Sequence, residues 1–300
     1  MVDLNSPYAF EKKRMEPIIY RYHSQNRPFL YFVKKDSTIT TMQQAELASN
    51  GEESVPYLGV ELEFDTRDKQ IGSVTNKKRL IARSNEIFGN GTFVYYMNDG
   101  SLLRGLEMIT QPATYEVHEL ISDKYQRLFE EIKSHGFKSD SYSTCGLHIH
   151  FNRNFFEDNP DLYTMNLLYL MERFWKEFVL MSRRNYDKIV QWANKYYKDP
   201  KGVLDDMKLC GYDHRSRYHA VNLTNASTIE FRIYRGTLNF DYFMAILELT
   251  QNLIIAAKTK TPEQLQSMNF MSLITSDRLM KYYRVCHRKS NMKKCPAFLG

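Results

Sequence analysis

The sequence has few residues that break regular structure and no long hydrophobic run. Glycine and proline number 13 and 9 in 300 residues, well below the roughly 25–30% that marks low-complexity or collagen-like chains. The longest unbroken apolar run extends only from Tyr242 to Leu247, whereas about 20 residues are needed to span a bilayer. We therefore expect a globular protein without extended disorder and without a membrane span.

Cysteine is also scarce. The four cysteines, Cys145, Cys210, Cys286 and Cys295, are irregularly spaced, which favours reduced thiols over a disulfide framework. The first thirty residues carry repeated charges and lack the apolar core of a secretory signal. Both observations predict a cytoplasmic protein.

The net charge of +6 is unevenly distributed. Arg183 to Arg217 contains nine basic and five acidic residues, and Arg278 to Gly300 contains seven basic residues and no acidic one. Such clustering suggests an anionic partner: nucleotide phosphate, nucleic acid or an acidic polymer. For the C-terminal stretch, a solvated basic face explains the pattern equally well.

Turn and cap signals divide the chain into three parts. Polar, linker-like residues precede residue 56, and Thr261 with Gln264 has the spacing of a capping box. We therefore expect an N-terminal segment and linker over 1–55, a main domain over 56–260 and a helical, basic segment over 261–300.

The secondary-structure signals of the main domain are mixed. Asn159 and Pro160 predict the start of an apolar helix that runs to about Met181. Helical spacing from Val117 to Ile132 predicts another helix, and Asp99-Gly100 between two apolar runs predicts a hairpin. Strands and helices do not alternate regularly, so we expect an α+β fold with a largely antiparallel sheet.

Polar residues that carry chemistry alternate with apolar residues in four short predicted strands. In Gly59 to Asp65, the period of two puts three carboxylates on one face and three apolar side chains on the other. The polar faces of the four strands carry Glu61, Glu63 and Asp65; Glu107; His148 and His150; and Glu230 with Arg232. If the strands share a sheet, one face of it collects acids, two histidines and an arginine.

Many like charges on one surface are costly unless cations neutralise them, because neighbouring carboxylates raise one another's pKa. Oxygen-rich ligands with few histidines and no thiolates suit Mg²⁺ or Mn²⁺ better than a structural Zn²⁺. Metal ions among acids, with arginines nearby, bind polyphosphate and stabilise a phosphoryl group in transfer. The pattern therefore predicts a phosphoryl-transfer site.

Each motif alone has a simpler explanation. A Glu-x-Glu strand is usually a solvated face, and Glu107 could be a hairpin salt-bridge partner. His148 and His150 beside Cys145 could form part of a zinc site, and Arg232 after Glu230 could be a cross-strand ion pair. The combination of the motifs favours the metal site.

In this order, the motifs resemble a known superfamily. Glu61-Leu62-Glu63, Gly146 to His150 and Glu230-Phe231-Arg232 are similar to the Glu-x-Glu, Gly-x-His-x-His and Glu-x-Arg elements of the glutamine synthetase and glutamate-cysteine ligase superfamily. The fuller strings, including Asp99 to Leu102, resemble its amidoligase branch. The resemblance covers about 57–257 and implies a curved antiparallel sheet backed by helices, a glutamine synthetase-like catalytic domain.

The resemblance also implies an activity and its cofactors. It implies an ATP-dependent carboxylate-amine ligase with Mg²⁺ or Mn²⁺, which phosphorylates a carboxylate and lets an amine displace the phosphate, leaving an amide or isopeptide bond. The partners would be a carboxylate and an amine, each a small molecule or a peptide. Their identities and the oligomeric state stay open.

The resemblance also implies a role for each residue, according to its position in a motif. One metal would be held by Glu63 and Glu107, and the other by Glu61, His148 and Glu230. His150 would lie by the nucleotide phosphates, and Arg232 would stabilise the phosphoryl group. Arg217 joins Arg232 and Glu107 as a catalytic candidate, and Asn222 and Arg235 join His150 and Arg232 as nucleotide-binding candidates.

Other classes of function compete with the ligase. A phosphotransferase on the same fold would use the same acids but make no amide. A nucleic-acid-binding protein would use the basic stretches, with aromatic residues such as Trp192, Tyr196 and Tyr197 for stacking. A zinc protein would use Cys145, His148 and His150.

Overall fold

The structure is a computed structural model of the chain. It describes residues 55–88, 93–196 and 216–289, together with the backbone of three upstream strands. Most of the predicted N-terminal segment (1–55), part of the basic stretch (197–215) and the end of the tail (290–300) lie outside the described residues. The predicted three-part division of the chain therefore stays a prediction.

The described residues form nine strands and nine α-helices. The strands are β1 (Ile19–Tyr20), β2 (Phe29–Val33), β3 (Ile39–Gln43), β4 (Leu58–Phe64), β5 (Val94–Met97), β6 (Leu106–Thr110), β7 (Gly146–Asn152), β8 (Val221–Asn222) and β9 (Thr228–Arg235). The helices are α1 (Val74–Phe88), α2 (Tyr115–Leu120), α3 (Ser122–Ser134), α4 (Pro160–Arg173), α5 (Trp175–Ser182), α6 (Tyr186–Trp192), α7 (Phe240–Thr259), α8 (Pro262–Ser267) and α9 (Asp277–Lys289).

By contacts, the chain separates into two compact units. The first unit comprises Met1–Leu47, Gly59–Leu147 and Gly236–Phe240, and the second comprises Ala48–Leu58, His148–Arg235 and Asp241–Gly300. In the first, strands neighbour one another in the order β1, β5, β6, β4; in the second, the order is β7, β9, β8. The pairs β4/β6, β5/β6 and β8/β9 are antiparallel, and β1/β5 is parallel. The predicted α+β fold with largely antiparallel strands is thus confirmed, and the likeness to glutamine synthetase stays a prediction.

Strand β4 shows the predicted alternation. Val60, Leu62 and Phe64 are fully buried, and the ring of Phe64 packs edge-on against Phe137 with 5.2 Å between centroids. This packing places the apolar face of β4 in the core of the first unit. The glutamates therefore project from its other face.

In the second unit, helix α7 is the longest helix and lies against the core. The hydroxyl of Thr250 donates a hydrogen bond to the hydroxyl of Tyr234 at 3.1 Å, and burial raises the pKa of Tyr234. Among the described residues, α7 alone is long and apolar enough to cross a membrane, but two thirds of it are buried inside the protein. A helix buried in the core of a globular protein can have the same length and apolar composition.

Two helices predicted as continuous are interrupted. The helix expected from Pro160 to about Met181 is divided at Phe174 into α4 and α5, and the helix expected from Val117 is divided at Ile121 into α2 and α3. Phe174 and Ile121 are neither glycine nor proline, and the residues on both sides keep helical spacing. The sequence therefore gives no sign of either interruption. The cap at Asn159 and the capping box at Thr261 are confirmed.

A close backbone approach at Gly105 sets the path of the chain into β6. A Cβ atom at this position would lie 1.9 Å from the carbonyl oxygen of Phe64 and 2.8 Å from the Cα atom of Asp65. Backbone atoms cannot move aside as a flexible side chain can. Only glycine therefore fits where β6 meets the end of β4.

We expect Gly105→Ala to destabilise the protein by about 1–3 kcal/mol, the usual cost of overpacking. The matched control is Gly100→Ala, because a Cβ there meets nothing within 4 Å; we expect it to change stability by no more than about 0.5 kcal/mol. Urea unfolding of both variants measures the difference. Equal stabilities would contradict the steric explanation.

Candidate active site

Two buried glutamates face one another across β4 and β6 in the first unit. Glu63 and Glu107 are direct partners in the antiparallel register, and each side chain is about 4% exposed. Like charges directly opposite one another destabilise a sheet. A bound cation would remove that repulsion, so the pair fits a metal site.

A third carboxylate joins this pair. Ligand oxygens of Glu63, Asp99 and Glu107 all lie within 4.8 Å of one another. Asp99 lies on the connection between β5 and β6, where the sequence predicts a hairpin turn and contains a string that resembles the amidoligase branch, but predicts no metal ligand. Its position beside the two glutamates depends on the path of the chain from Asp99 to Gly105, which the hairpin signal does not specify.

The backbone of neighbouring segments orients Glu63. The backbone N–H of Gly146 donates to Glu63 Oε2 at 2.5 Å, and the hydroxyl of Ser139 donates to the Glu63 carbonyl oxygen at 2.6 Å. Gly236 also packs closely here, since a Cβ atom on it would lie 2.2 Å from Ser139 Oγ. Gly146 thus holds the carboxylate of Glu63, and Ser139 holds its backbone.

The other two acids of the predicted strand, Glu61 within β4 and Asp65 directly after it, differ in role. Asp65 accepts hydrogen bonds from the backbone N–H groups of Leu103 and Arg104, each at 2.8 Å, so it anchors the segment that leads to Gly105. Burial lowers the pKa of Lys77, and the Asp65 carboxylate opposes that shift. Glu61 is half-buried and lies opposite Ile109 of β6. Asp65 therefore has a structural role, while Glu61 stays a predicted ligand.

A second cluster surrounds Glu230 on β9 in the second unit. Glu230 is 3% exposed, and its Oε1 atom is paired with the guanidinium of Arg232. The same oxygen lies 3.6 Å from Nδ1 of His148 and 3.9 Å from Nε2 of His150. The other nitrogen of His150 is 3.1 Å from the hydroxyl of Thr228. Four of the predicted site residues thus meet at one carboxylate.

The structure places the three remaining predicted residues differently. Asn222, directly opposite Glu230 in the strand register, donates from Nδ2 to Glu230 Oε2 at 2.7 Å. Arg217 is exposed, and its guanidinium lies over the ring of Tyr218. Arg235 donates to the carbonyl oxygen of Arg183 at 3.4 Å. Asn222 therefore belongs to the Glu230 cluster, whereas these contacts of Arg217 and Arg235 are to other groups.

The two clusters offer different donor atoms to a divalent cation. In the first unit they are carboxylate oxygens only, and in the second they are a carboxylate and imidazole nitrogens. Mg²⁺ and Mn²⁺ prefer carboxylate oxygens, as in the first cluster, whereas imidazole nitrogens also suit Zn²⁺ and other transition metals. Among the candidate metal-binding groups found in the described residues, none contains a cysteine.

Cys145 lies at the entrance to β7 and is fully buried. The phosphoryl transfer that the motifs predict needs no thiol, so we expect Cys145→Ala to keep its enzymatic activity within about threefold of wild type. Cys286→Ala, at the other buried cysteine of the described chain, is the control. ATP turnover and mass spectrometry of the intact protein test this. Loss of activity in Cys145→Ala alone, with a covalent adduct on Cys145 of the wild type, would favour a thioester mechanism.

The α+β fold thus carries a pair of facing buried acids in its first unit and a histidine–arginine cluster around Glu230 in its second. A family described as "Putative amidoligase enzyme" matches residues 31–254. The chain belongs to this family, which confirms the predicted amidoligase resemblance and supports a ligase-type enzyme. The match begins upstream of the main domain predicted at 56. A comparison with curated proteins finds no match.

Proposed function

We propose that the protein is an ATP-dependent carboxylate-amine ligase, which forms an amide or isopeptide bond through an acyl phosphate. The observation that carries the proposal is the direct pairing of Glu63 with Glu107, both buried, with Asp99 within ligand distance. Burying two facing carboxylates without a cation would cost several kcal/mol. Membership of the amidoligase family supports the ligase assignment.

In this proposal, Glu63, Glu107 and Asp99 hold one Mg²⁺ ion. Following the motif resemblance, Glu61, His148 and Glu230 hold a second ion. Bound Mg²⁺ would neutralise charge on the triphosphate. Both ion assignments are open to direct measurement, because Mn²⁺ substitutes for Mg²⁺ and its binding stoichiometry can be counted.

The basic side chains around Glu230 would act on the phosphates. Arg232 would stabilise the negative charge on the phosphoryl group in transfer, as a planar guanidinium is suited to do. His150 would orient a phosphate oxygen through a ring nitrogen, with Thr228 fixing the ring. Arg217 and Arg235 would contact substrate or phosphate.

The reaction would proceed in two steps. A carboxylate oxygen attacks the γ-phosphorus of ATP, the bond to the bridging oxygen breaks, and ADP leaves. The amine nitrogen then attacks the acyl carbon, the bond from that carbon to the phosphate oxygen breaks, and the amine loses its proton to solvent. The products are an amide, ADP and inorganic phosphate.

Hydroxylamine tests this proposal without knowledge of the natural amine, since it converts an acyl phosphate into a hydroxamate. The protein would be incubated with ATP, Mg²⁺, hydroxylamine and a panel of amino acids and acidic peptides. We expect hydroxamate, ADP and phosphate in equal amounts. AMP with pyrophosphate would contradict the acyl phosphate, and ADP with a phosphorylated acceptor and no released phosphate would indicate a phosphotransferase.

A further inference from the structure

The two oxygens of Glu230 have different surroundings. Oε1 faces Arg232, His148 and His150. Oε2 accepts two side-chain amide hydrogen bonds, from Asn222 at 2.7 Å and from Asn225 at 3.2 Å. One oxygen is therefore directed at the basic groups, while the other is held by neutral donors.

The turn between β8 and β9 orients these amides. Asn222 Oδ1 accepts a hydrogen bond from the backbone N–H of Thr224 at 2.9 Å. Because its oxygen is engaged by a donor, the amide nitrogen of Asn222 is the atom directed at Glu230. The turn thus sets which end of the side chain meets the carboxylate.

Arg153, which follows β7, fixes the conformation of the same turn. It donates from Nε to the carbonyl oxygen of Asn225 at 2.8 Å and from Nη2 to that of Leu223 at 2.5 Å. Its backbone N–H donates to the carbonyl oxygen of Ser227 at 3.1 Å. Three hydrogen bonds from one residue thus hold three carbonyl groups of the turn, including that of Asn225.

We propose that Asn225, together with Asn222 and held by Arg153, is a positioning residue that locks Oε2 of Glu230 so that Oε1 is presented to a cation. This inference rests on the proposed metal-dependent function. A carboxylate bonded through one oxygen has less freedom to rotate about its last torsion, so the entropic cost of coordinating a cation through the other oxygen is smaller. Neither Asn225 nor Arg153 has a signal in the sequence, because their role depends on the shape of the turn.

Manganese binding to the full-length protein without nucleotide tests this role separately from catalysis. Free Mn²⁺ is measured by electron paramagnetic resonance for wild type, Asn225→Ala and the control Ser227→Ala, whose exposed side chain lies in the same turn. We expect Asn225→Ala to weaken one Mn²⁺ site by about 10- to 100-fold, the usual effect of losing a residue that orients a metal ligand. Ser227→Ala should bind as wild type does.

A second variant separates the hydrogen bond from packing. Asn225→Leu keeps a similar side-chain volume but has no N–H donor, so it should weaken the same site as much as alanine does, and it also covers the case in which Asn225→Ala fails to fold. Wild-type Mn²⁺ affinity in a folded Asn225→Leu protein would overturn the inference. Wild-type protein that binds no Mn²⁺ at all would instead overturn the proposed metal-dependent function, and the inference with it.

Discussion

Glu63→Gln is expected to abolish Mg²⁺-dependent ATP turnover, with a loss of at least about 1,000-fold. The substitution removes one negative charge from the facing pair that Glu63 forms with Glu107. The amide oxygen of glutamine can still accept the hydrogen bond from the backbone N–H of Gly146, so the local structure should be kept. The loss would therefore report on metal binding.

Glu116→Gln is the matched control, because Glu116 is exposed on α2 of the same unit and should leave turnover unchanged. Thermal unfolding with and without Mn²⁺ adds a second measurement. Mn²⁺ should raise the unfolding temperature of wild type and of Glu116→Gln, and it should raise that of Glu63→Gln much less. Near-normal turnover in a folded Glu63→Gln protein would refute the metal assignment.

The second large effect concerns the chemical step. If ATP phosphorylates the substrate carboxylate, one carboxylate oxygen leaves with the phosphate when the amine attacks. A carboxylate labelled with heavy oxygen should therefore place label in the released phosphate, which mass spectrometry detects. Unlabelled phosphate, or ATP turnover that needs no carboxylate, would contradict the acyl phosphate.

Arg232→Ala should slow this step by about 1,000-fold and weaken ATP binding by less than about tenfold, because the guanidinium matters most as charge develops on the moving phosphoryl group. Arg232→Lys keeps a positive charge beside the buried Glu230, so it controls for loss of the ion pair. Arg284→Ala, on the exposed face of α9, should behave as wild type. Equal losses in ATP affinity and turnover number would instead assign Arg232 to ground-state binding.

Local patterns were sufficient for much of the fold. The alternation in β4 predicted which side chains form its apolar face, and the cap at Asn159 and the capping box at Thr261 marked helix starts correctly. These signals arise from neighbouring residues along the chain. The interruptions at Phe174 and Ile121 were missed because residues on both sides keep helical spacing, so only the packing of the folded chain reveals them.

The residue types of the candidate site were evident from the sequence, whereas their geometry was not. Period-two spacing placed Glu63, Glu107 and Glu230 on the polar faces of their predicted strands. Their partners depend on contacts between distant segments: the register that pairs Glu63 with Glu107 and the hydrogen bond from Gly146. The path of the chain before Gly105 likewise brings Asp99 beside the glutamates.

The sequence by itself determined the residue types, the α+β class and the order of the motifs, since each depends on side-chain chemistry or on spacing over a few residues. Tertiary structure decided which oxygen of Glu230 meets Arg232 and which is held by Asn222 and Asn225. It also made Asp65 a structural anchor although it shares a strand face with Glu63. The physical reason is that hydrogen-bond partners and burial are properties of the folded backbone, which brings together residues that have no relation along the chain.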